Sequence, residues 1–273
     1  MSYDGAVALD FFKAMGKPME VPRSRVIFAE LDEHDSGIFT RNPSKIYFLL
    51  KGEVSLTARG RPLGTVQRGE IFGEMGAITH EPRSASALAK TDCTLIALDD
   101  RQLERGLAEK PAFALMLMSL LIGRLRETIA RLRAAGAMAE GAEWKEAAAF
   151  DPSRMAGLVR GLADDPPIYY QQGQTIMTEG QKGLRMYAVV AGHVAISIGS
   201  RVVERLGPGG AFGEAAIVEG APRMATAVAQ TDCQLLPITR QAFESLVKME
   251  PRFAYMMLAS LAERLRFLTE RLN

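Results

Sequence analysis

The sequence is organised around one stretch that occurs twice. It runs over residues 72–87 and returns over residues 212–227, so the second copy follows the first at a constant offset. Phe-Gly-Glu opens both copies, and Pro-Arg follows at the same spacing in each. A repeat at a fixed offset predicts two structural units of one kind in a single chain. With 273 residues the chain is long enough for about two domains.

Short runs rich in β-branched and aromatic residues, with glycines nearby, precede the repeated stretch in both halves. They lie at 26–28 and 46–50 in the first half, and at 175–177 and 186–190 in the second. Several short strands with glycine turns are typical of a β-sandwich or a barrel. The fold class that we predict is therefore mainly β with α (α+β), with one such unit in each half.

Helical patterns surround the predicted strands. Asp99 or Asp100 and Thr239 are the expected N-caps of helices that follow the last predicted strand of each half. An Ala- and Glu-rich connector joins the halves, and we expect it to be helical with hinges at its glycines. A nine-residue surplus in the first half, around 32–43, predicts a longer surface loop there. The predicted parts are a first domain over 1–133, the connector over 134–153 and a second domain over 154–273.

The helix predicted from Pro111 carries an apolar seam with alternating spacings of three and four residues. Such spacing is typical of a helix that packs along a partner helix. The seam fits a homodimer through the helix 111–133, and it equally fits core packing inside one chain. Its residues are Leu115, Met118, Ile122, Leu125, Ile129 and Leu132.

The charge balance does not favour a nucleic-acid partner. Lys and Arg number 33 against 32 Asp and Glu, so the chain lacks the basic excess that phosphate backbones attract. It contains no apolar run of about 18 residues and begins with no basic and then apolar leader. We therefore expect no membrane association and a cytoplasmic location. The cysteines Cys93 and Cys233 hold equivalent places, and we expect small buried side chains there rather than a disulfide.

The glycines, the glutamate and the arginine of the repeated stretch determine its chemistry. Glycine lets the backbone reach positive φ and approach a ligand closely. Arg83 or Arg223 presents a planar fork of donors that matches a phosphate. Glu74 or Glu214 would repel a phosphate, but it can accept a hydrogen bond from a ribose hydroxyl. The pattern therefore indicates a site for a small sugar phosphate with one negative charge.

With these residues the stretch resembles the phosphate-binding cassette of the cyclic nucleotide-binding domain family. Both copies match the whole motif, and the likeness extends over nearly the whole chain. The resemblance implies two double-stranded β-helix (jelly-roll) barrels, each flanked by N- and C-terminal helices. It implies that Glu74 and Glu214 bind the ribose 2′-hydroxyl of cAMP or cGMP. It also implies that Arg83 and Arg223 bind the exocyclic oxygens of the cyclic phosphate.

The resemblance adds further candidates inside the cassettes. Gly73 and Gly213 are expected to contact the ligand through their backbone. Ser84 has a hydroxyl for the phosphate or for guanine, whereas Met224 has none, so we expect the second site to tolerate cGMP less. The candidates that directly follow the glutamates are Met75 and Ala215.

Two residues outside the cassettes are candidates for base contacts. Thr128 stands on the closing helix where regulators of the bacterial catabolite activator type place a threonine against adenine; the alternative is an ordinary helix-surface residue. Trp144, in the connector, would stack on the base of the first site, but packing on a domain face is favoured.

The remaining polar residues indicate no catalysis. His34, His80 and His193 are scattered and have no second metal ligand nearby in the sequence, so we expect no metal site. No nucleophile and base form a recognisable pair. We therefore expect neither an enzyme nor any cofactor besides the cyclic nucleotide ligand.

The function that the resemblance implies is that of a cyclic nucleotide receptor. The arrangement resembles the paired domains of regulatory subunits of cAMP-dependent protein kinase. No winged helix follows residue 132, so we expect the output to be an unidentified effector protein, reached by movement of the lid and connector helices. The alternatives are a scaffold in which one or both pockets are vestigial, and an enzyme that hydrolyses cyclic nucleotides.

Overall fold

The computed structural model describes residues 3–31, 44–135, 149–162, 165–250 and 252–272. Contacts divide the chain into two compact units, Asp4–Phe113 and a second unit that contains Ala114–Asn273. The first unit consists of α1 (Gly5–Met15), β1 (Lys17–Val21), β2 (Val26–Phe28), β3 (Lys45–Lys51), β4 (Val54–Ala58), β5 (Arg61–Val66), β6 (Ile71–Phe72), α2 (Glu74–Thr79), β7 (Ser86–Ala89), β8 (Cys93–Asp99), α3 (Asp100–Glu109) and the first residues of α4 (Pro111–Ala134).

The strands of the first unit form two four-stranded antiparallel sheets with the orders β1-β8-β3-β6 and β2-β7-β4-β5. Apolar side chains fill the space between the sheets. Phe28 from one sheet stacks with Tyr47 and Phe72 from the other, with ring centroids 5.9 and 6.1 Å apart. The sheets therefore face each other across one core, as in a jelly-roll barrel.

Helix α1 packs against strands β3 and β8 of this barrel. The carboxylate of Asp4 accepts hydrogen bonds from the N–H groups of Ala6 and Val7 and so caps α1. Phe11 of α1 stacks on Phe113, with ring centroids 3.6 Å apart. The first helix of the unit, α1, thus packs against the start of α4.

The second unit repeats the architecture. Its elements are most of α4, followed by α5 (Pro152–Gly161), β9 (Ile168–Tyr170), β10 (Thr175–Met177), β11 (Arg185–Ala191), β12 (Val194–Ile198), β13 (Arg201–Leu206), β14 (Ala211–Phe212), α6 (Glu214–Glu219), β15 (Thr226–Ala229), β16 (Cys233–Thr239), α7 (Arg240–Met249) and α8 (Phe253–Leu272). The sheet orders, β9-β16-β11-β14 and β10-β15-β12-β13, match those of the first unit. The register matches as well, since Tyr187 pairs with Phe212 as Tyr47 pairs with Phe72. The predicted fold class and the tandem repeat are confirmed.

The helix α4 joins the two halves of the sequence. It ends at Ala134, close to the predicted limit of the first domain at 133, whereas the compact units divide within its first turn. The predicted domain limits therefore stay a prediction. Most of the predicted connector and the predicted long loop around 32–43 lie outside the described residues.

The seam of α4 is buried within the single chain. Leu115, Ile122 and Leu132 are each about 2% exposed or less, and Leu125 and Ile129 are 8% and 7% exposed. A homodimer through 111–133 would have to replace this intramolecular packing, and it stays a prediction. Cys93 and Cys233 are buried and free, as expected.

No single helix among the described residues is long and apolar enough to span a membrane, although α3 and α4 meet the length and composition criteria together as a pair bent by 118°.

Candidate functional site

The first cassette is built around the buried side chain of Arg83. Its guanidinium donates hydrogen bonds of 2.8 Å to the carbonyl oxygens of Gly73 and Lys45. Its Cζ lies 4.3 Å from the centroid of the Phe28 ring. These contacts hold the guanidinium at the start of α2, where Glu74 is also buried.

Glycine is required at the turn that leads into α2. Gly73 has a φ of 76°, in the left-handed region. A Cβ on Gly73 would lie 3.1 Å from both Nη1 of Arg83 and the carbonyl oxygen of Lys45. The turn therefore favours a residue without a side chain, which the sequence predicted from the Gly-Glu pair. Ser84 is exposed and Met75 is partly buried.

The second cassette has the same construction. Gly213 has a φ of 83°, and its carbonyl oxygen accepts a 3.0 Å hydrogen bond from Nη1 of Arg223. Arg223 is 7% exposed, and its Cζ lies 5.9 Å from the Tyr187 ring centroid. Burial lowers the pKa of Arg223, while Tyr187 and Glu214 act in the opposite direction. The cassette thus holds a buried cation beside a buried carboxylate.

Glu214 of the second cassette also belongs to an ion network that the sequence reasoning missed. Arg264, on α8, donates from Nη1 to Glu214 at 2.6 Å, from Nε to Glu204 at 3.1 Å, and from Nη2 to the carbonyl oxygen of Ala211. All three charged side chains are buried. Burial alone would lower the pKa of Arg264, but the two carboxylates raise it above its ordinary value. Arg264 is therefore a cation at every ordinary pH.

Glu204 is the less usual member of this network. Burial raises its pKa, Arg264 acts against that rise, and the nearby Glu214 adds to it. Within this network, the guanidinium of Arg264 therefore donates hydrogen bonds to both Glu204 and Glu214.

A cavity of about 80 Å³ lies against the second cassette. Its polar end is formed by Glu204, Glu214, Arg223 and Arg264. Side chains of α4, α8 and strands β10, β12 and β13 form the apolar remainder. The apolar lining residues outside the cassette are Ile122, Leu125, Ile129, Met177, Ile196, Ile198, Val203 and Leu261.

The structure brings together the candidate residues predicted for the second site. Five of them line the cavity: Gly213, Glu214, Ala215, Arg223 and Met224. Sequence reasoning missed the wall contributed by α4. Its only signal was the seam spacing, which predicted a packing face but not what it would face.

Two ion pairs join α4 to the end of α6 and to the turn after β10. Arg126 contacts Glu219 at 2.9 Å, and Glu219 also accepts a hydrogen bond from Ser119. Arg133 pairs with Glu179. These pairs are partly exposed, so each contributes at most about 1 kcal/mol. They fix the position of α4 less firmly than its buried seam does.

The structure describes one of the two base-contact candidates. Thr128 is 9% exposed and belongs to the compact unit that contains the second cassette. Its contact with a base in the first site stays a prediction. Trp144 and His34 lie outside the described residues. Within the part of the chain that the structure describes, no group of three or more His, Cys, Asp or Glu could hold a metal ion.

The chain is similar in sequence to proteins of known family. The family model of the cyclic nucleotide-binding domain matches residues 22–110 and 167–250. The cAMP-dependent protein kinase regulatory subunit of Eremothecium gossypii is 28% identical over 202 residues, which cover 74% of this chain and 39% of that protein. The CRP-like cAMP-activated global transcriptional regulator of Mycobacterium tuberculosis is 31% identical over 123 residues, covering 42% and 53%. The chain thus spans about two fifths to about half the length of these relatives.

Two solved structures are also similar. The regulatory domain of Toxoplasma gondii PKA with cAMP is 19% identical, with a TM-score of 0.33, over 92% of this chain and 87% of that one. The Thermus thermophilus catabolite activator protein is 26% identical, with a TM-score of 0.42, over 60% and 70%.

The family model matches once in each repeat, and the two matched segments together cover more than half of the sequence. The chain therefore belongs to the cyclic nucleotide-binding domain family.

Proposed function

We propose that this chain is a receptor that binds cAMP and/or cGMP in its two cassettes and passes the signal to a partner protein through movement of its helices. The observation that carries this proposal is the buried Arg223, which lines an otherwise largely apolar cavity beside Glu214. A guanidinium suits a cyclic phosphate, and a carboxylate suits a ribose hydroxyl. The apolar wall suits the flat base.

The names of the relatives support cAMP as the ligand. One is a regulatory subunit of a cAMP-dependent kinase, and the other is a cAMP-activated regulator. In keeping with both, we propose that this chain regulates another protein rather than catalysing a reaction itself.

The size of the cavity at the second cassette supports a mechanism in which part of its wall moves when a ligand binds. An enclosed cavity of about 150 Å³ binds benzene, and the cavity at the second cassette, which is partly open, measures about 80 Å³. A cyclic nucleotide is larger than benzene, so we expect part of the wall to move when it binds. The helix α4 is the wall element that links the two halves of the sequence.

The energies permit such a displacement. Ile122, Leu125 and Ile129 are buried in the wall, and exposing one such side chain completely costs about 1.5 to 3 kcal/mol. A ligand that binds in the micromolar range provides about 8 kcal/mol, and a nearly complete switch requires about 5.5 kcal/mol of preference between states. Partial displacement of α4 therefore lies within the reach of a micromolar ligand.

The proposal is tested by isothermal titration of the purified chain with cAMP and with cGMP. We expect two bound ligands per wild-type chain and one in each of the variants Arg83→Ala and Arg223→Ala. Losing a charged partner of the phosphate costs about 2 to 5 kcal/mol, which weakens the affected site about 30-fold or more. Arg61→Ala and Arg201→Ala are matched controls, because these arginines are exposed and equivalent in the two repeats.

The outcomes separate the alternatives. Binding that is insensitive to both cassette variants would contradict the assignment of the sites. If the folded chain gave no heat with either nucleotide at millimolar concentration, it would instead fit a scaffold with vestigial pockets. Hydrolysis of cAMP by the pure chain would restore the enzyme alternative.

A further inference from the structure

One difference between the two repeats concerns a strand residue in the wall of the second cavity. Glu204 on β13 pairs with Ile196 on β12. The equivalent position of the first repeat is Gly64 on β5, and it pairs with Leu56 on β4 in the same register. The first repeat therefore carries no side chain where the second carries a carboxylate.

Glu204 is directed into the second site rather than into solvent. It is 4% exposed, it lines the cavity, and its Oε1 lies 3.1 Å from Nε of Arg264. At Gly64, by contrast, a Cβ would meet no atom within 4 Å. The carboxylate is thus an addition specific to the second site.

The addition changes the charge of the second site. The charged residues that line the cavity are Arg223, Arg264, Glu204 and Glu214. When all four are ionised their charges cancel, so an anionic ligand meets no surplus of positive charge. Without Glu204 the same group would carry one net positive charge. Two carboxylates and a carbonyl group also engage three of the five N–H donors of Arg264.

We infer that Glu204 determines the affinity of the second site for the charged part of its ligand: it weakens binding of a cyclic nucleotide relative to an uncharged nucleoside with the same base. The inference rests on the proposed function and adds a difference between the two sites. A like charge in a buried site disfavours a second anion, and the low effective dielectric there strengthens the effect.

The test compares Glu204→Gln with the unchanged residue, both in the Arg83→Ala chain, so that only the second site binds. Glutamine keeps the shape and an acceptor for Arg264 but removes the charge. The probes are cAMP and adenosine, titrated calorimetrically. We expect the ratio of cAMP to adenosine affinity to rise about tenfold or more in Glu204→Gln. Glu204→Gly, which restores the residue of the first repeat, should raise the ratio in the same direction.

The reciprocal change tests the same charge effect in the first site. In the Arg223→Ala chain, Gly64→Glu should lower the ratio of cAMP to adenosine affinity, and by less than Glu204 lowers it in the second site, because position 64 is exposed. Gly64→Ala is the matched control, because it places a side chain on the same backbone conformation, with a φ of 157°, without adding a charge.

The possible results are distinguishable. An unchanged or lowered ratio in Glu204→Gln, with both probes still bound, overturns the inference and leaves the proposed function standing. The inference is supported if the Arg83→Ala chain binds cAMP only when it also carries Glu204→Gln. If neither chain binds either probe while thermal unfolding shows both to be folded, the proposed function of the second site fails and the inference fails with it.

Discussion

Arg264 on α8 donates a 2.6 Å hydrogen bond to Glu214, the carboxylate that the sequence assigns to the ribose of the second site. A carboxylate has lone pairs enough to accept from a guanidinium and from a hydroxyl at the same time. The bond therefore leaves Glu214 available to a ligand while fixing its orientation. It also joins α8 to the first residue of α6.

Replacing Arg264 should strongly destabilise the protein. Arg264→Ala leaves Glu204 and Glu214 buried without their cation, and breaking a buried ion pair in this way costs about 3 to 5 kcal/mol. The free energy of unfolding, measured by urea denaturation at pH 7, should fall by that amount. Arg266→Ala on the same helix is the control, because its partly exposed pair with Glu270 contributes at most about 1 kcal/mol. Equal losses in the two variants would refute this account of the network.

The destabilisation caused by Arg264→Ala should depend on pH. Burial already raises the pKa of Glu204, and loss of Arg264 raises it further, with Glu214 as the remaining charged neighbour. Above that raised pKa the buried charge destabilises the folded variant. As the pH falls through it, the folded state takes up a proton more readily than the unfolded state, and the destabilisation is relieved. The difference in unfolding free energy between wild type and variant should thus be smaller at pH 5 than at pH 8.

Two glycines of the second cassette should respond differently to alanine. In Gly213→Ala the new Cβ would lie 2.6 Å from Nη1 of Arg223, so we expect the arginine to move and the second site to bind cAMP at least tenfold more weakly. Gly220 has a φ of 63°, and no atom lies within 4 Å of its Cβ position. Gly220→Ala should cost only about 1 to 2 kcal/mol of stability through its backbone conformation. Calorimetric titration in the Arg83→Ala chain compares the two, and equal losses of affinity would argue against the role of Gly213.

Selectivity between cAMP and cGMP should follow the residue after each cassette arginine. Ser84 offers a hydroxyl and Met224 does not, so the chain with only the first site active should bind cGMP more tightly than the chain with only the second. One hydrogen bond contributes about 0.5 to 1.5 kcal/mol, so Ser84→Ala should weaken cGMP binding about 2-fold to 10-fold. Met224→Ser should strengthen it in the second site. Similar cGMP affinities in the two single-site chains would contradict this prediction.

Ligand binding in the second site should move α4. Ala130 on α4 and Ser200, in the turn between β12 and β13, are exposed and suit spin labels on introduced cysteines. The native cysteines are 1% and 2% exposed and should not react. In the Arg83→Ala chain, pulsed electron resonance should detect a changed distance between the labels when cAMP is added. The same labels in an Arg223→Ala chain give the control, and an unchanged distance with the second site occupied would exclude the mechanism.

Local sequence signals predicted much of the fold. The run at 175–177 coincides with β10, and the side chains of Asp99 and Thr239 cap their helices as expected. These features depend on neighbouring residues, such as the N–H group three positions after a cap. The strand β5 was harder to recognise, because Pro62 and Gly64 interrupt its pattern.

The cassette residues were also predictable, since glycine, glutamate and arginine lie within a few residues of one another. The network was not. Glu204 looks like an ordinary polar strand residue, and its partner Arg264 follows 60 residues later. Alignment of the two repeats does distinguish this position, because Glu204 is equivalent to Gly64. The wall formed by α4 depends on contacts far along the chain, which seam spacing cannot assign.

The helix α4 makes the two repeats structurally unequal. Its residues follow the first barrel in the sequence, yet Ile122, Leu125 and Ile129 line the cavity of the second. A fragment that begins at residue 154 would contain the whole second repeat and still lack one side of its pocket. The repeated sequence unit and the compact unit that contains the second cavity therefore have different lengths, and a substitution on α4 would change the lining of that cavity.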